Sequence, residues 1–296
     1  MTRYAPLEIP VRGGDLHVGR WSGAGMPVLA AHGVTAYHQS WSWVADALPN
    51  RELLAPDLRG RGRSRALPPP YGMAAHADDL VAILDAQGHE RAVLLGHSMG
   101  AFVALVAAHR YPERVESLVL VDGGIPLPTP PGMDPEEVAE AVIGPSLRRL
   151  EMRFPSFEAH RELWRNHPAL GSVWSPRLAA YADADLHGSA PDLASRTVRE
   201  AVDFDSRDLL TGPDVPAAQV ALDRQTELLV AEQGMAVGAP PLYPDATVAV
   251  AAKAHPTLDV RRIRGVNHYT VVMSDAGAQV VAGVVRTAAG SAPADT

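Results

Sequence analysis

The pentapeptide Gly-His-Ser-Met-Gly at residues 96–100 constrains the fold more than any other feature of the chain. It follows the apolar run 91–95 and precedes a segment of small and apolar residues, 101–108. A strand that turns sharply at a serine and continues as a helix is the setting in which a Gly-x-Ser-x-Gly pattern has structural meaning. Glycines on both sides of the serine remove the β-carbons that would clash in so tight a turn. The sequence therefore predicts a strand–turn–helix unit with the Ser98 hydroxyl exposed at the end of the strand.

Short apolar runs alternate with helical patterns over residues 27 to 122. The runs that read as buried strands are 27–31, 52–55, 91–95 and 115–121. Strands that are apolar throughout are typical of a mostly parallel sheet with helices on both faces. Two further runs, Leu7 to Arg12 and Leu16 to Trp21, meet at two glycines and predict an antiparallel hairpin at the sheet edge.

A proline-dense segment, 125–131, interrupts this alternation. Asp134 and Pro135 are typical of a helix start, and the pattern stays helical or irregular, without strand runs, to about Leu210. We interpret this region as a helical cap inserted into one α/β core domain. The resulting division is 1–125 for the first part of the core, 126–212 for the cap, 213–290 for the second part of the core and 291–296 for a tail. In the second part, the sequence predicts strands at 213–222 and 260–263 and a last helix at 276–288.

Composition narrows the classes of function. The chain has 296 residues, a formal net charge of −8 and no cysteine. The absence of cysteine excludes disulfides, thiolate metal sites and cysteine nucleophiles, and the negative charge argues against a nucleic-acid partner. The chain has no His-Glu-x-x-His motif, and Gly60-Arg61-Gly62 lacks the third glycine of a dinucleotide loop. We therefore expect neither a metal nor a cofactor.

Hydropathy gives further expectations. No apolar run reaches the roughly 18 residues of a membrane span, and the first residues lack the apolar stretch of a signal peptide. We expect a cytoplasmic monomer or homodimer that acts on a small molecule and has no membrane partner. The arginine-rich run 59–65 is interpreted as a solvated loop that pairs with nearby acids such as Asp57.

A serine hydroxyl needs a base, normally a neutral histidine, and that histidine needs an orienting acid. His268 follows the predicted strand 260–263 and precedes the last helix, so it would lie at the same sheet edge as Ser98 and is the candidate base. Two carboxylates could orient it: Asp122 ends the strand 115–121, and Asp223 ends the predicted strand 213–222, with Glu227 a little beyond. We prefer Asp122, because two glycines follow it and leave its carboxylate free to turn toward the site, and we keep Asp223 as the alternative.

Two main-chain amides are candidates for stabilising an oxyanion. The Met99 N–H lies at a helix start, where donors are free and the helix dipole favours negative charge. The Val34 N–H follows Gly33, which lets the backbone of that loop approach closely.

These pieces resemble the serine hydrolases of the α/β-hydrolase fold. They are His32-Gly33, the segment 57–64 (Asp-Leu-Arg-Gly-Arg-Gly-Arg-Ser), the pentapeptide 96–100 and Asn267-His268-Tyr269. The resemblance implies an eight-stranded, mostly parallel sheet with helices on both faces and a helical cap inserted after the sixth strand. It also implies Ser98 as nucleophile, His268 as base, and Met99 and Val34 as oxyanion donors.

One departure from that family concerns the acid. Most members carry it after the seventh strand in a Gly-x-x-Asp setting, and residues 219–225 lack that glycine. A subset that includes the haloalkane dehalogenases places the acid after the sixth strand, which corresponds to Asp122. Those dehalogenases and the related epoxide hydrolases use an aspartate nucleophile, so Ser98 argues against their chemistry.

The resulting hypothesis is an esterase or lactonase for a small, fairly apolar substrate. Carbon–carbon bond hydrolysis, thioester hydrolysis and cofactor-free perhydrolysis on the same residues remain alternatives, and a non-catalytic binding protein on this scaffold is a further one. The aromatic residues that could wall the pocket, or else pack in the core, are Tyr37, His38, Trp41, Trp164 and Trp174.

Overall fold

The computed structural model describes residues 3–128, 132, 137, 144 and 147–290. The strands are β1 (Tyr4–Val11), β2 (Gly14–Trp21), β3 (Ala24–Ala31), β4 (Arg51–Pro56), β5 (Ala92–His97), β6 (Val115–Val121), β7 (Leu186–His187), β8 (Ala194–Ser195), β9 (Thr226–Gln233) and β10 (Leu258–Asn267). Eight of them form one sheet in the order β1-β2-β4-β3-β5-β6-β9-β10. Strand β2 pairs antiparallel with β1 and β4, and the other neighbours pair in parallel. The predicted mostly parallel, eight-stranded sheet is therefore confirmed.

Helices cover both faces of this sheet. They are α1 (Ser42–Ala47), α2 (Met73–Gln87), α3 (Met99–Arg110), α4 (Phe157–Arg165), α5 (Pro176–Ala184), α6 (Arg199–Thr211), α7 (Asp214–Val220), α8 (Asp245–Ala254) and α9 (Asp275–Ala288). Because side chains alternate along a strand, Leu29 and Leu94 join a core with α2, α3, α7 and α8, while Val28 and Val93 join a second core with α1 and α9. The sheet is thus buried on both sides, as its apolar strands require.

The predicted strand at 213–222 is wrong. Residues Asp214–Val220 form helix α7, in which only Val215 and Ala218 are buried, at the spacing of one helix face. The strand lies further along the chain in β9, whose residues 228–231 are all buried. Consequently Asp223 precedes this strand instead of ending it.

The segment interpreted as a cap contains α4, α5, α6 and a helical stretch at 147–150. It also contains the two-stranded ribbon of β7 and β8, which the sequence did not indicate. The predicted helix start at Asp134 and the tail 291–296 lie outside the described residues. Within the part of the chain that the structure describes, no helix combines the length and the apolar character needed to cross a bilayer.

The interpretation of 59–65 as a solvated loop is wrong for two of its arginines. Arg59 and Arg61 are buried, while Arg63 and Arg65 are exposed. Arg59 pairs with Asp79 and Arg61 with Asp205, neither of which is the nearby acid expected from the sequence. A buried guanidinium persists because it is ion-paired and hydrogen-bonded.

Candidate active site

Ser98 stands at the sharp turn between β5 and α3. Its backbone has φ 56° and ψ −124°, a strained conformation for a residue with a side chain. The Ser98 N–H donates to the Val121 carbonyl at 2.9 Å, which fixes the turn to the neighbouring strand. A β-carbon on Gly96 would lie 2.2 Å from the Gly100 carbonyl oxygen. The flanking glycines therefore make the turn possible by allowing this close backbone approach.

Gly100 offers a test of this packing. A β-carbon there would lie 2.0 Å from the Ala31 carbonyl oxygen, so we expect Gly100→Ala to lower the free energy of unfolding by about 1–3 kcal/mol. Gly283, inside α9, is the matched control, because its added β-carbon would meet only the Arg286 guanidinium at 3.8 Å. Gly283→Ala should stabilise the protein by roughly 0.5–1 kcal/mol. Urea unfolding of both variants measures the two effects, and equal effects would contradict the steric argument.

The structure brings His268 and Asp122 to Ser98. His268 directly follows β10, and its Nε2 lies 3.1 Å from the Ser98 Oγ. Its Nδ1 donates to the Asp122 Oδ2 at 2.7 Å, an assignment that leaves Nε2 with a lone pair facing the hydroxyl. Asp122 directly follows β6 at φ 47°, and its Oδ1 accepts from the Ala231 N–H at 3.1 Å. This chain of hydrogen bonds can remove a proton from the serine.

Asp223 lies at the other end of the sheet. It is exposed and precedes β9, and its neighbour Arg224 donates to the Val115 carbonyl, where β6 begins, at 2.9 Å. Asp122 lies where β6 ends, and seven strand residues span roughly 20 Å. The structure therefore contradicts Asp223 as an orienting acid, because that role assumed a strand ending at this residue.

The two candidate oxyanion donors lie beside Ser98. A β-carbon on Gly33 would come within 3.3 Å of the Ser98 β-carbon, which places the loop bearing Val34 against the serine. Neither the Val34 N–H nor the Met99 N–H donates a hydrogen bond to another described residue. Met99 begins α3, so its amide also lies at the positive end of the helix dipole. Both amides are free to bind a developing negative charge.

His32 braces this loop. Its Nδ1 donates to the Gly33 carbonyl at 2.8 Å, and its Nε2 accepts from the Leu58 N–H at 3.0 Å. Burial lowers the pKa of His32 to about 3, so the ring is neutral at physiological pH and can keep both roles. His97, next to the serine, points away from it and donates from Nε2 to the His268 carbonyl at 2.8 Å.

A cavity of about 120 Å³ opens over these groups. Ser98, His268, Val34 and Met99 are among the residues that line it. The remaining wall is mainly apolar and includes Phe102, Leu170, Leu209, Met235, Leu242 and Met273. All 26 lysine and arginine residues of the chain belong to the described part, and none of them lines this cavity.

Of the five aromatic residues proposed for the pocket, only Trp164 lines the cavity. Trp41 is fully buried in the core, and Trp174 lies beside Arg165, 5.2 Å from the guanidinium. Tyr37 donates from its hydroxyl to the Tyr181 carbonyl at 2.5 Å. The pocket assignment was therefore wrong for Tyr37, Trp41 and Trp174, which stabilise the surrounding structure instead.

His38 also lies outside the cavity, in a buried cluster with His17 and Asp57. Its Nδ1 donates to the Asp57 Oδ1 at 2.6 Å, and its Nε2 accepts from the Tyr4 hydroxyl at 2.9 Å. Hydrogen bonds thus engage both ring nitrogens. The cluster is accounted for as a structural network, and the expectation that the chain binds no metal stays a prediction.

Several cavity residues were missed by the sequence reasoning. Ser206, Leu209 and Leu210 come from α6, and Met235 and Leu242 follow β9. The residues after β9 could have been found from its correct position, since ligand sites lie at the carboxyl ends of parallel strands. No signal in the sequence indicates which face of α6 meets the cavity.

Comparisons with known proteins agree with this architecture. Residues 26–171 match a family model described as alpha/beta hydrolase fold. The chain is 39% identical over 130 residues to the lipase LipV of Mycobacterium tuberculosis, covering 44% of this chain and 48% of that protein. It is 40% identical over 120 residues to a 2-hydroxymuconate semialdehyde hydrolase of a Pseudomonas species, covering 38% and 42% of the two chains. These alignments span less than half the length of each relative.

A solved structure extends the likeness over nearly the whole chain. A hypothetical protein of Pseudomonas aeruginosa PAO1 superimposes with a TM-score of 0.70 at 27% identity, covering 95% of this chain and 98% of that one. The chain therefore has the α/β-hydrolase fold.

Proposed function

We propose that this protein is a serine hydrolase that cleaves a carboxylic ester or lactone with a small, uncharged, apolar acyl group. The observation that carries the proposal is the hydrogen-bonded chain from Ser98 through His268 to Asp122 in the wall of a mainly apolar cavity. A nucleophile, a base and an orienting carboxylate in that order are what acyl transfer requires.

The proposed reaction has two halves. His268 accepts the proton of Ser98 as its Oγ attacks the substrate carbonyl, and the Val34 and Met99 amides stabilise the oxyanion. His268 then returns the proton to the departing alcohol, which leaves an acyl-enzyme. In the second half, His268 activates a water that hydrolyses the acyl-enzyme. Side chains and main-chain amides supply every group, so the proposed reaction needs no cofactor.

The cavity favours this substrate class over carbon–carbon cleavage of a dienoate. A dienoate carries a carboxylate, whose burial is costly without a cationic partner. No lysine or arginine lines the cavity, and burial lowers the pKa of His97, a histidine in its wall, to about 3. A neutral acyl chain meets no such penalty and buries its surface against the leucine and methionine wall.

A matched pair of esters tests the proposal. We expect kcat/KM for p-nitrophenyl butyrate to exceed that for mono-p-nitrophenyl succinate by about 10-fold or more, because their acyl groups are of similar length and only the second is charged. A fluorophosphonate should label Ser98, as intact-mass and peptide analysis would show. Preference for the charged ester would favour carbon–carbon hydrolysis. No turnover together with no labelling would favour a binding protein.

A further inference from the structure

A single buried guanidinium touches both proposed oxyanion residues. Arg61 is fully buried, and its Nε donates to the Val34 carbonyl at 2.9 Å. One Nη lies 4.0 Å from the Met99 sulfur, and the other donates to the Arg59 carbonyl at 2.8 Å. That second Nη also donates to the Asp205 carboxylate. Arg61 thus connects the loop beside Ser98 to helix α6, 144 residues further along the chain.

Asp205 is the matching anchor on α6. It is fully buried; its Oδ1 accepts from the Gly72 N–H at 2.6 Å and its Oδ2 lies 2.9 Å from the His76 Nε2. Burial alone would raise the pKa of its carboxyl, but His76 and Arg61 outweigh burial and hold that pKa below its ordinary value. The carboxylate is therefore ionised at neutral pH and pairs with Arg61 as a full charge.

Helix α6 also forms part of the cavity. Ser206, Leu209 and Leu210 line it, and Val34 packs against the cluster that contains Val202 of α6. Helix α6 thus contributes Ser206, which follows Asp205, to the cavity wall. Asp205 itself binds two loops of the core, through Arg61 and the Gly72 N–H. Any shift of α6 would be transmitted to Val34 through Arg61.

We infer that Arg61 and Asp205 form a clasp that positions the Val34 amide in the oxyanion hole, so that the hole is complete only while α6 is docked on the core. This inference rests on the proposed function. Arg61 acts through Val34 and does not reach the reacting atoms, so it is a positioning residue. Breaking the clasp should lower kcat, because a misplaced donor stabilises the transition state less. KM should change much less than kcat, because most of the cavity wall comes from elements other than α6.

The same loop supplies a matched control. Arg59 and Asp79 form a second buried pair, with Nε to Oδ2 at 2.6 Å and Nη2 to Oδ1 at 2.8 Å. The free Nη donors of Arg59 go to the Arg12 and Pro68 carbonyls, away from Ser98. Removing the aspartate charge from either pair leaves a buried arginine without its carboxylate partner and lowers the stability of the protein. Only the Arg61–Asp205 clasp should also affect catalysis.

The experiment compares Asp205→Asn with Asp79→Asn on p-nitrophenyl butyrate, below the melting temperature of each. We expect Asp205→Asn to lower kcat by about 10- to 100-fold with KM within about 3-fold, since loss of a whole oxyanion donor costs about 10²- to 10³-fold. Fluorophosphonate labelling of Ser98 should slow by the same factor. Asp79→Asn should keep kcat within about 3-fold of the wild type, although its melting temperature falls too.

A double variant separates positioning from stability. Arg61→Met combined with Asp205→Asn also removes the unpaired arginine charge, so the melting temperature of the double variant should be higher than that of Asp205→Asn alone. Its kcat should stay low, because the Val34 carbonyl has lost its donor. Wild-type kcat in the double variant, or equal kcat in Asp205→Asn and Asp79→Asn, would overturn the inference while the proposed function stood. A wild-type protein without esterase activity would overturn both.

Discussion

Ser98→Ala should lower kcat for p-nitrophenyl butyrate by about 10⁴- to 10⁶-fold, as expected when the nucleophile of a triad is removed. The Oγ is the only atom lost, and alanine carries the same β-carbon at φ 56°, so the strain at the turn is unchanged. His268 and the Val34 and Met99 amides stay in place and can still favour attack by water, which accounts for the residual rate. Steady-state kinetics and fluorophosphonate labelling measure the loss.

Ser206→Ala is the control for this prediction. Ser206 also lines the cavity, but it lies on α6 and no histidine is hydrogen-bonded to it among the described residues. We expect this variant to keep its kcat within about 3-fold of the wild type, as is typical when the changed residue binds the ground state and the transition state equally. Labelling at Ser206 in the wild type, or full activity of Ser98→Ala, would show that the nucleophile lies elsewhere.

The sequence predicted those parts of the fold that local signals decide. Helix α2 ends at Gln87, because Gly88 adopts the left-handed conformation, with φ 70°, that terminates helices; a glycine after a helical pattern is a local signal of this kind. The turn at Ser98 was predicted for a similar reason, since flanking glycines and a following small-residue helix leave few other structures. In each case the determining interactions lie within a few residues of one another.

Strand β9 was missed because its assignment depends on burial rather than on local preference. The valine, alanine and leucine residues within 213–222 suit either a helix or a strand. In the structure, β9 inserts between β6 and β10 and is apolar on both faces. Tertiary packing overrides propensity in such short segments.

Residues of the site could be predicted where they follow strands and could not where they depend on distant contacts. Ser98, Asp122 and His268 each follow a parallel strand, and the carboxyl ends of such strands meet at one edge. The partner of Arg61 lies 144 residues away in α6. Tyr37 likewise packs on Tyr181, with ring centroids 4.6 Å apart. Neither of these two pairs follows from the order of strands in the sheet, so the pattern of a single sequence does not indicate them.

Asp122→Asn should lower kcat by about 10⁴-fold, through the tautomer of His268 rather than through a change of fold. Asparagine tolerates the φ of 47° at this position and occupies nearly the same volume. Its amide, however, offers one oxygen where the carboxylate has two acceptors. The Ala231 N–H and the His268 Nδ1–H both need an acceptor here, so one of these two donors is left without an acceptor.

Either orientation of the amide harms the site. If its oxygen keeps the Ala231 N–H, its NH₂ group faces Nδ1 of His268 and favours the tautomer that carries the proton on Nε2. That nitrogen then donates toward Ser98 and cannot accept the serine proton. If the amide is reversed, two donors face each other in a fully buried position, which costs about 1–3 kcal/mol.

Asp223→Asn is the control that decides between the two carboxylates. Asp223 is exposed and precedes β9, so its substitution should leave kcat within about 2-fold of the wild type, as for a surface residue remote from the site. Comparing kcat for the two variants on one ester, with melting temperatures to verify folding, measures the contrast. Normal turnover in Asp122→Asn with an inactive Asp223→Asn would mean that His268 takes its orientation from a different acid. The hydrogen bond of 2.7 Å to Asp122 would then be structural only.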